Sequence, residues 1–229
     1  MTLRVDHLVV AAATLAQGVS WCEQTLGVTP GPGGKHALMS THNRLLKIAS
    51  ATYPDSYLEI IAIDPDAPPP GRARWFGLDD AALQTRLSHE GPSLIHFVAR
   101  STAIEAQRAA LFAAGYPPGE VLSASRQTPQ GLLSWLIAVR ADGQLACEGA
   151  LPTLIQWQGQ HPAAQMPDAG LALRALCLRG LPERARAALG PIEASYPATP
   201  GPALQAELAT PRGLVLLQSS SGADLGEPV

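Results

Sequence analysis

Two short phrases constrain this chain more than anything else in it: Asp6-His7-Leu8-Val9-Val10-Ala11, and, eighty-nine positions on from histidine to histidine, Ile95-His96-Phe97-Val98-Ala99-Arg100. Each is an apolar run rich in β-branched residues with a histidine at its second place. Each is followed by an amphipathic stretch that ends in glycine, at Leu26-Gly27 and at Ala114-Gly115. A repeated strand carrying a repeated histidine predicts two copies of one supersecondary unit facing each other across a shared site.

The hydrophobic pattern extends each phrase into a β-α-β-β-β order. In the first copy, a buried strand over residues 5–11 leads to a helix capped by Thr14, with Leu15, Val19, Cys22 and Leu26 at helical spacing. The breaker-rich loop 29–34 follows. Two short strands, 36–41 and 44–48, are then expected around a turn at His42-Asn43, and a further strand at 57–63 ends in Asp64-Pro65. A proline-rich connection and a helix over 74–89 link this unit to the second copy. There, strands at 93–99, 121–126, 132–140 and 154–158 surround a helix capped by Thr102, with a turn at Pro129-Gln130-Gly131. The predicted organisation is therefore a first module at 1–65, a linker and helix at 66–91 and a second module at 92–165. A partial third βαββ unit at 170–218, with Pro182 at a helix start, serves structure or dimer formation. A tail occupies 219–229.

Composition narrows the function. The chain has 229 residues, 46% hydrophobic and 15% charged, with a net charge of −3. It reads as a folded globular protein without the basic surface that nucleic acid binding requires. No apolar run is long enough to span a membrane. No charged-then-apolar leader precedes the first strand, so a cytoplasmic protein is expected. Three unpaired-looking cysteines, Cys22, Cys147 and Cys177, predict no disulfide framework and no zinc cluster.

The polar residues inside apolar strands are the candidate site, because a buried polar side chain needs a partner. Alternation places His7 on one face with Val5 and Val9, and Glu59 with Tyr57 and Ile61. His96 is the second copy's counterpart of His7. Aligning the last strands by Pro65 and Pro162 puts Gln156 opposite Glu59. Two imidazoles and a carboxylate suit a divalent metal such as Zn, Ni, Mn or Fe, with Gln156 as a weak fourth ligand. Glu59 is either a ligand or a general base. His36, His42, Asn43, Trp135 and Trp157 are candidates for the substrate pocket, the tryptophans equally as core. Arg44, Arg126 and Arg140 are either carboxylate-binding or solvated arginines. Residues 31–34 lack the spacing of a phosphate loop.

These phrases, with Gly33-Gly34-Lys35-His36, Thr41-His42-Asn43-Arg44-Leu45-Leu46 and Tyr57-Leu58-Glu59-Ile60-Ile61, resemble the vicinal oxygen chelate superfamily, the glyoxalase and dihydroxybiphenyl dioxygenase group, and more narrowly its bacterial glyoxalase-like domain proteins. The resemblance covers residues 5 to about 160. It implies an α+β fold, a cupped sheet of paired βαβββ modules, with ligands from the first and last strands of each module: His7, Glu59, His96 and Gln156. It departs from the pattern of metal-dependent members at Gln156, where they have glutamate. The implied function is binding of a small oxygen-bearing molecule in the cup, as a metal-dependent lyase or isomerase. A metal-free ligand-sequestering protein and an extradiol-type dioxygenase are the alternatives, and a homodimer is a possible assembly.

Overall fold

A computed structural model describes residues 3–128 and 131–220. The turn residues Pro129 and Gln130 and most of the tail lie outside the described residues. The first copy runs β1 (Arg4–Ala11), α1 (Leu15–Thr25), β2 (Lys35–His36), β3 (Thr41–Lys47) and β4 (Tyr57–Ile63). Thr14 caps α1 by accepting from the Gln17 backbone N–H, as its sequence position predicts. Gly18 and Cys22 are the buried face of α1, and a Cβ on Gly18 would overlap Ile60, so the glycine lets the helix lie close on β4. The turn expected at His42-Asn43 falls earlier, at residues 37–40, and places both residues inside β3.

The linker holds α2 (Ala81–Glu90), shorter than predicted. Asp80 accepts from the N–H groups of Ala82 and Leu83 and starts the helix there. Ahead of it, Trp75–Gly77 forms a separate tight turn with Phe76 at φ +60. The second copy is β5 (Ser93–Arg100), α3 (Ile104–Ala113), β6 (Glu120–Thr128), β7 (Gly131–Val139) and β8 (Thr153–Gln158).

Among the described residues, eight strands form one sheet in the order β2-β3-β4-β1-β5-β8-β7-β6. Each half has the same connectivity. Its first strand pairs parallel with its last, β1 with β4 and β5 with β8, while β1 and β5 meet antiparallel at the centre. Sheet and helices together make the α+β architecture of paired βαβββ modules that the repeat predicts.

The two faces of the sheet bury different clusters. On the helix-covered face, Leu8, Val10, Leu58, Ile60, Phe97 and Leu154 pack with leucines of the C-terminal unit. That unit consists of β9 (Ala172–Leu178), α4 (Glu183–Leu189), β10 (Leu204–Thr210) and β11 (Gly213–Gln218). Pro182 stands just before α4 rather than inside it. Its strands form an antiparallel sheet, β11-β10-β9, whose order differs from that of the two modules. Its core-facing residues, Leu173, Leu176, Leu204 and Leu208 among them, complete the chain's own convex core. On the concave face, Val9, Ile61, Val98 and Ile155 pack with Trp75, Phe76 and the α2 leucines Leu83 and Leu87. The linker thus fills part of the cup. No helix among the described residues is long and apolar enough to cross a membrane.

Candidate functional site

The first histidine reaches the cup through an irregularity. Val5 pairs with Ala99 and His7 with Val98, so Asp6 is an extra residue in β1. Such a bulge reverses the alternation. Val5 consequently joins the convex core with Leu8 and Val10, and His7 shares the concave face with Val9; the expectation that Val5 and His7 face the same way is corrected.

Asp6 is buried and holds His7. Its Oδ1 accepts from His7 Nδ1 at 2.7 Å. Its Oδ2 accepts from Trp157 Nε1 and from His161 Nε2, each at 2.9 Å, so the carboxylate of the first module is bound by two rings of the second. Burial alone would raise the Asp6 carboxyl. The hydrogen bonds from His161 and His7, and the charge those rings can carry, outweigh burial and hold it well below the usual carboxylate range. An ionised carboxylate only accepts, so His7 carries its proton on Nδ1 and turns Nε2 to the cavity. His7 also stacks on Tyr57, ring centroids 4.5 Å apart.

Glu59 Oε2 lies 3.6 Å from His7 Nε2, too far for a hydrogen bond and close enough for one reacting atom to meet both. Glu59 Oε1 accepts from Asn43 Nδ2 at 2.5 Å. The Asn43 amide is oriented by the backbone, because its Oδ1 accepts the Gly34 N–H at 2.8 Å. The glycines of the loop have a steric role: a Cβ on Gly33 would overlap the Asn43 carbonyl, and one on Gly34 would overlap Arg126 Nη1. Arg126 crosses from β6 and donates to Asn43 Oδ1 at 3.3 Å. His36 packs edge-on to Trp75 and is pushed down to about 4 by burial, with the Glu59 charge opposing. Trp135 and Trp157 complete the wall of this compartment.

The second histidine occupies a different compartment. Trp75 and Phe76 line both cavities, with His7 and Glu59 on one side and His96 and Thr153 on the other. Both His96 nitrogens are engaged. Nδ1 donates to the Gly149 carbonyl at 3.0 Å, and Nε2 accepts the Thr153 backbone N–H at 3.0 Å. Burial pushes this ring down to about 3.

The true counterpart of Glu59 follows from strand register. Val9 and Val98 each stand two places after their histidine; Glu59 lies opposite Val9 and Thr153 opposite Val98. The proline alignment misleads because β4 is followed at once by Asp64-Pro65, whereas Gly159, Gln160 and His161 intervene between β8 and Pro162. Gln156 therefore points to the helix-covered side, where its Oε1 accepts the Ile104 N–H and starts α3 in place of Thr102. His42 likewise alternates away from Asn43, toward Asp64 beside Lys35.

Of the residues predicted from sequence, His7, Glu59, His36, Asn43, Trp135 and Trp157 are brought together; His96, Gln156 and His42 are not. Arg126, one of the three arginines read as carboxylate-binding or solvated, lines the compartment, whereas Asp6, Trp75, Phe76 and His161 enter the site's description from the structure. An aspartate inside an apolar strand was the one local signal for Asp6. The four-ligand metal site does not fit these positions. His96 Nε2 already holds a backbone N–H, Gln156 faces away, and the Asn43 group beside Glu59 is a donor. Among the described residues no three His, Cys, Asp or Glu side chains form a metal-holding group.

The fold is that of the vicinal oxygen chelate superfamily. The chain belongs to the glyoxalase-like domain family, which it matches over residues 5–191. No curated protein matches it. Among solved structures, a hypothetical protein from Staphylococcus aureus shares the fold with a TM-score of 0.53 at 15% identity, over 79% of this chain and 71% of that one. A methylmalonyl-CoA epimerase in complex with methylmalonyl-CoA and NH4+ gives a TM-score of 0.42 at 16% identity, over 73% and 100%. The methylmalonyl-CoA epimerase from Mycobacterium tuberculosis gives 0.39 at 14%, over 70% and 90%.

Proposed function

We propose that this protein binds a small oxygen-bearing organic molecule in the His7 compartment and moves a proton on it, as an isomerase or lyase. The observation that carries this reading is the buried pair of His7 Nε2 and Glu59 Oε2, 3.6 Å apart and each fixed from behind, by Asp6 and by Asn43. Acid–base catalysis needs a base and an acid held within reach of one atom, and a dry pocket strengthens both. In the proposed step a C–H bond next to a carbonyl breaks. One member of the pair takes the proton, the bonding electrons move onto the carbonyl oxygen, and the other member returns a proton. Arg126, with most of its N–H donors uncommitted to described residues, stands where it can stabilise that oxygen. Trp135 and Trp157 give the compartment an apolar wall.

The test is exchange of α-protons with D2O, followed by NMR over a panel of 2-oxo acids, 2-hydroxy acids and thioesters. Exchange lost on Glu59→Gln supports the reading. Tight binding with no exchange of any ligand would instead establish a sequestering protein. Stoichiometric Zn, Ni, Mn or Fe in protein purified without an affinity tag, lost on Glu59→Ala, would overturn the metal-free step.

A further inference from the structure

The His7 compartment has a larger neighbour. Beside it lies a groove of about 350 Å³ that runs between β3 and loop 29–34 on one side and β7 with residues 158–169 on the other. Arg126, Leu45, Leu133 and Pro162 line both spaces, so the groove and the inner compartment adjoin at these side chains. The inner compartment is narrow, about 30 Å³, and admits only a small head group; the groove adds room for a chain.

The groove's chemistry is specific. Leu45, Leu132, Leu133 and Met166 give it an apolar wall, and Leu132 is 61% exposed although it is a large apolar side chain. Lys47 and Arg126 line it, and no Asp or Glu does among the described residues, in a protein whose net charge is −3. Arg126 sits at the neck. Its Nε is buried without a hydrogen-bond partner, and among the described residues it forms no ion pair. A guanidinium fork left open at the junction of a reactive compartment and an apolar groove matches a carboxylate.

Resting on the reading of the His7 compartment as the reacting site, we propose that the substrate class is an amphiphilic carboxylate. Its carboxylate is held by Arg126 at the neck, its neighbouring carbonyl carbon faces His7 and Glu59, and its alkyl chain lies along the groove.

The test measures binding by calorimetry with three probes: 2-oxooctanoate, which has carboxylate and chain; pyruvate, which lacks the chain; and 2-octanone, which lacks the carboxylate. The expected result is that 2-oxooctanoate binds at least about tenfold tighter than either. Arg126→Gln should bring it down to the level of 2-octanone, and Leu132→Glu, at an exposed position that tolerates substitution, toward that of pyruvate. Equal binding of 2-oxooctanoate and either partial probe, or an advantage that survives Arg126→Gln, would overturn the inference. The two readings fail separately. Exchange catalysed as readily on 2-octanone as on 2-oxooctanoate removes the carboxylate requirement and leaves the proton transfer intact. The expected binding pattern without exchange removes the proton transfer and leaves the carboxylate site.

Discussion

The two histidine compartments began as the same phrase and diverged in what faces the ring. Glu59, paired with Val9 two places on from His7, brings a carboxylate 3.6 Å from His7 Nε2, and behind the ring Asp6 accepts the Nδ1–H. Opposite His96 stands Thr153, whose hydroxyl and backbone N–H both lie 3.0 Å from Nε2, while the Gly149 carbonyl takes the Nδ1 proton. One imidazole keeps a lone pair for the cavity; the other is fully satisfied by its own chain. The difference teaches that a buried histidine becomes a reactive group or a structural one according to whether its last nitrogen has a partner. The Trp75-Phe76 turn completes the separation. Phe76 holds a left-handed backbone, a conformation costing about 1–3 kcal/mol in a non-glycine residue, and its ring packs 5.3 Å from that of His96.

This contrast can be broken in several ways. The largest effect is expected at Glu59. Glu59→Gln should slow α-proton exchange by about 10²–10⁴-fold, whereas His96→Gln should leave the rate within about twofold; a matching loss in both variants would mean that the compartments act as one site. Asp6→Asn should slow exchange by about 10- to 100-fold, because His7 loses the acceptor that fixes its tautomer. Its signature is a shifted pH profile of the exchange rate, and an unchanged profile would remove Asp6 from the positioning role.

His96→Ala should act on stability instead. It opens a cavity and strands the Gly149 carbonyl and Thr153 N–H, at a cost of about 2–3 kcal/mol in urea unfolding. The pH dependence sharpens the same point. The folded His96 ring titrates at about 3 and His36 at about 4, both lowered by burial from an ordinary 6.5. Between those values and 6.5 the unfolded chain binds more protons than the folded one. The stability is thus fully present above 6.5 and is lost as pH falls from 6.5 toward 3. In His96→Gln the urea midpoint should fall less steeply over that window, and an unaltered slope would show that the ring is not buried as a neutral group. The smallest effect belongs to Thr153→Val, about 1 kcal/mol or less, since the backbone N–H continues to satisfy His96 when the hydroxyl is gone.

Much of this was legible in the chain. Apolar, β-branched runs bounded by turn residues located β4 at 57–63 and both central strands, and the repeat implied paired modules. His7 and Glu59 were named because polar residues stand out in apolar strands, and His36 and Asn43 because they stand at a hairpin beside the glycine-rich loop. The errors came from alternation and register. A one-residue bulge at Asp6 is invisible in a pattern of apolar residues, yet it decides which way His7 faces. Gln156 was assigned to the cup from a proline that follows a longer connection, and His42 from a turn placed four residues late. Arg126 belongs to an outer strand of the other module, so nothing local ties it to Asn43.

By itself, then, the sequence determined the class of architecture and which side chains had to find partners on folding, because periodicity and burial are properties of short segments. Tertiary structure alone decided which partners they found. Strand register set Glu59 against His7 and Thr153 against His96, and the linker's aromatic turn placed the two rings in separate cavities. Those outcomes depend on contacts between segments far apart in the chain, where a shift of a single residue turns a side chain to the opposite face of the sheet.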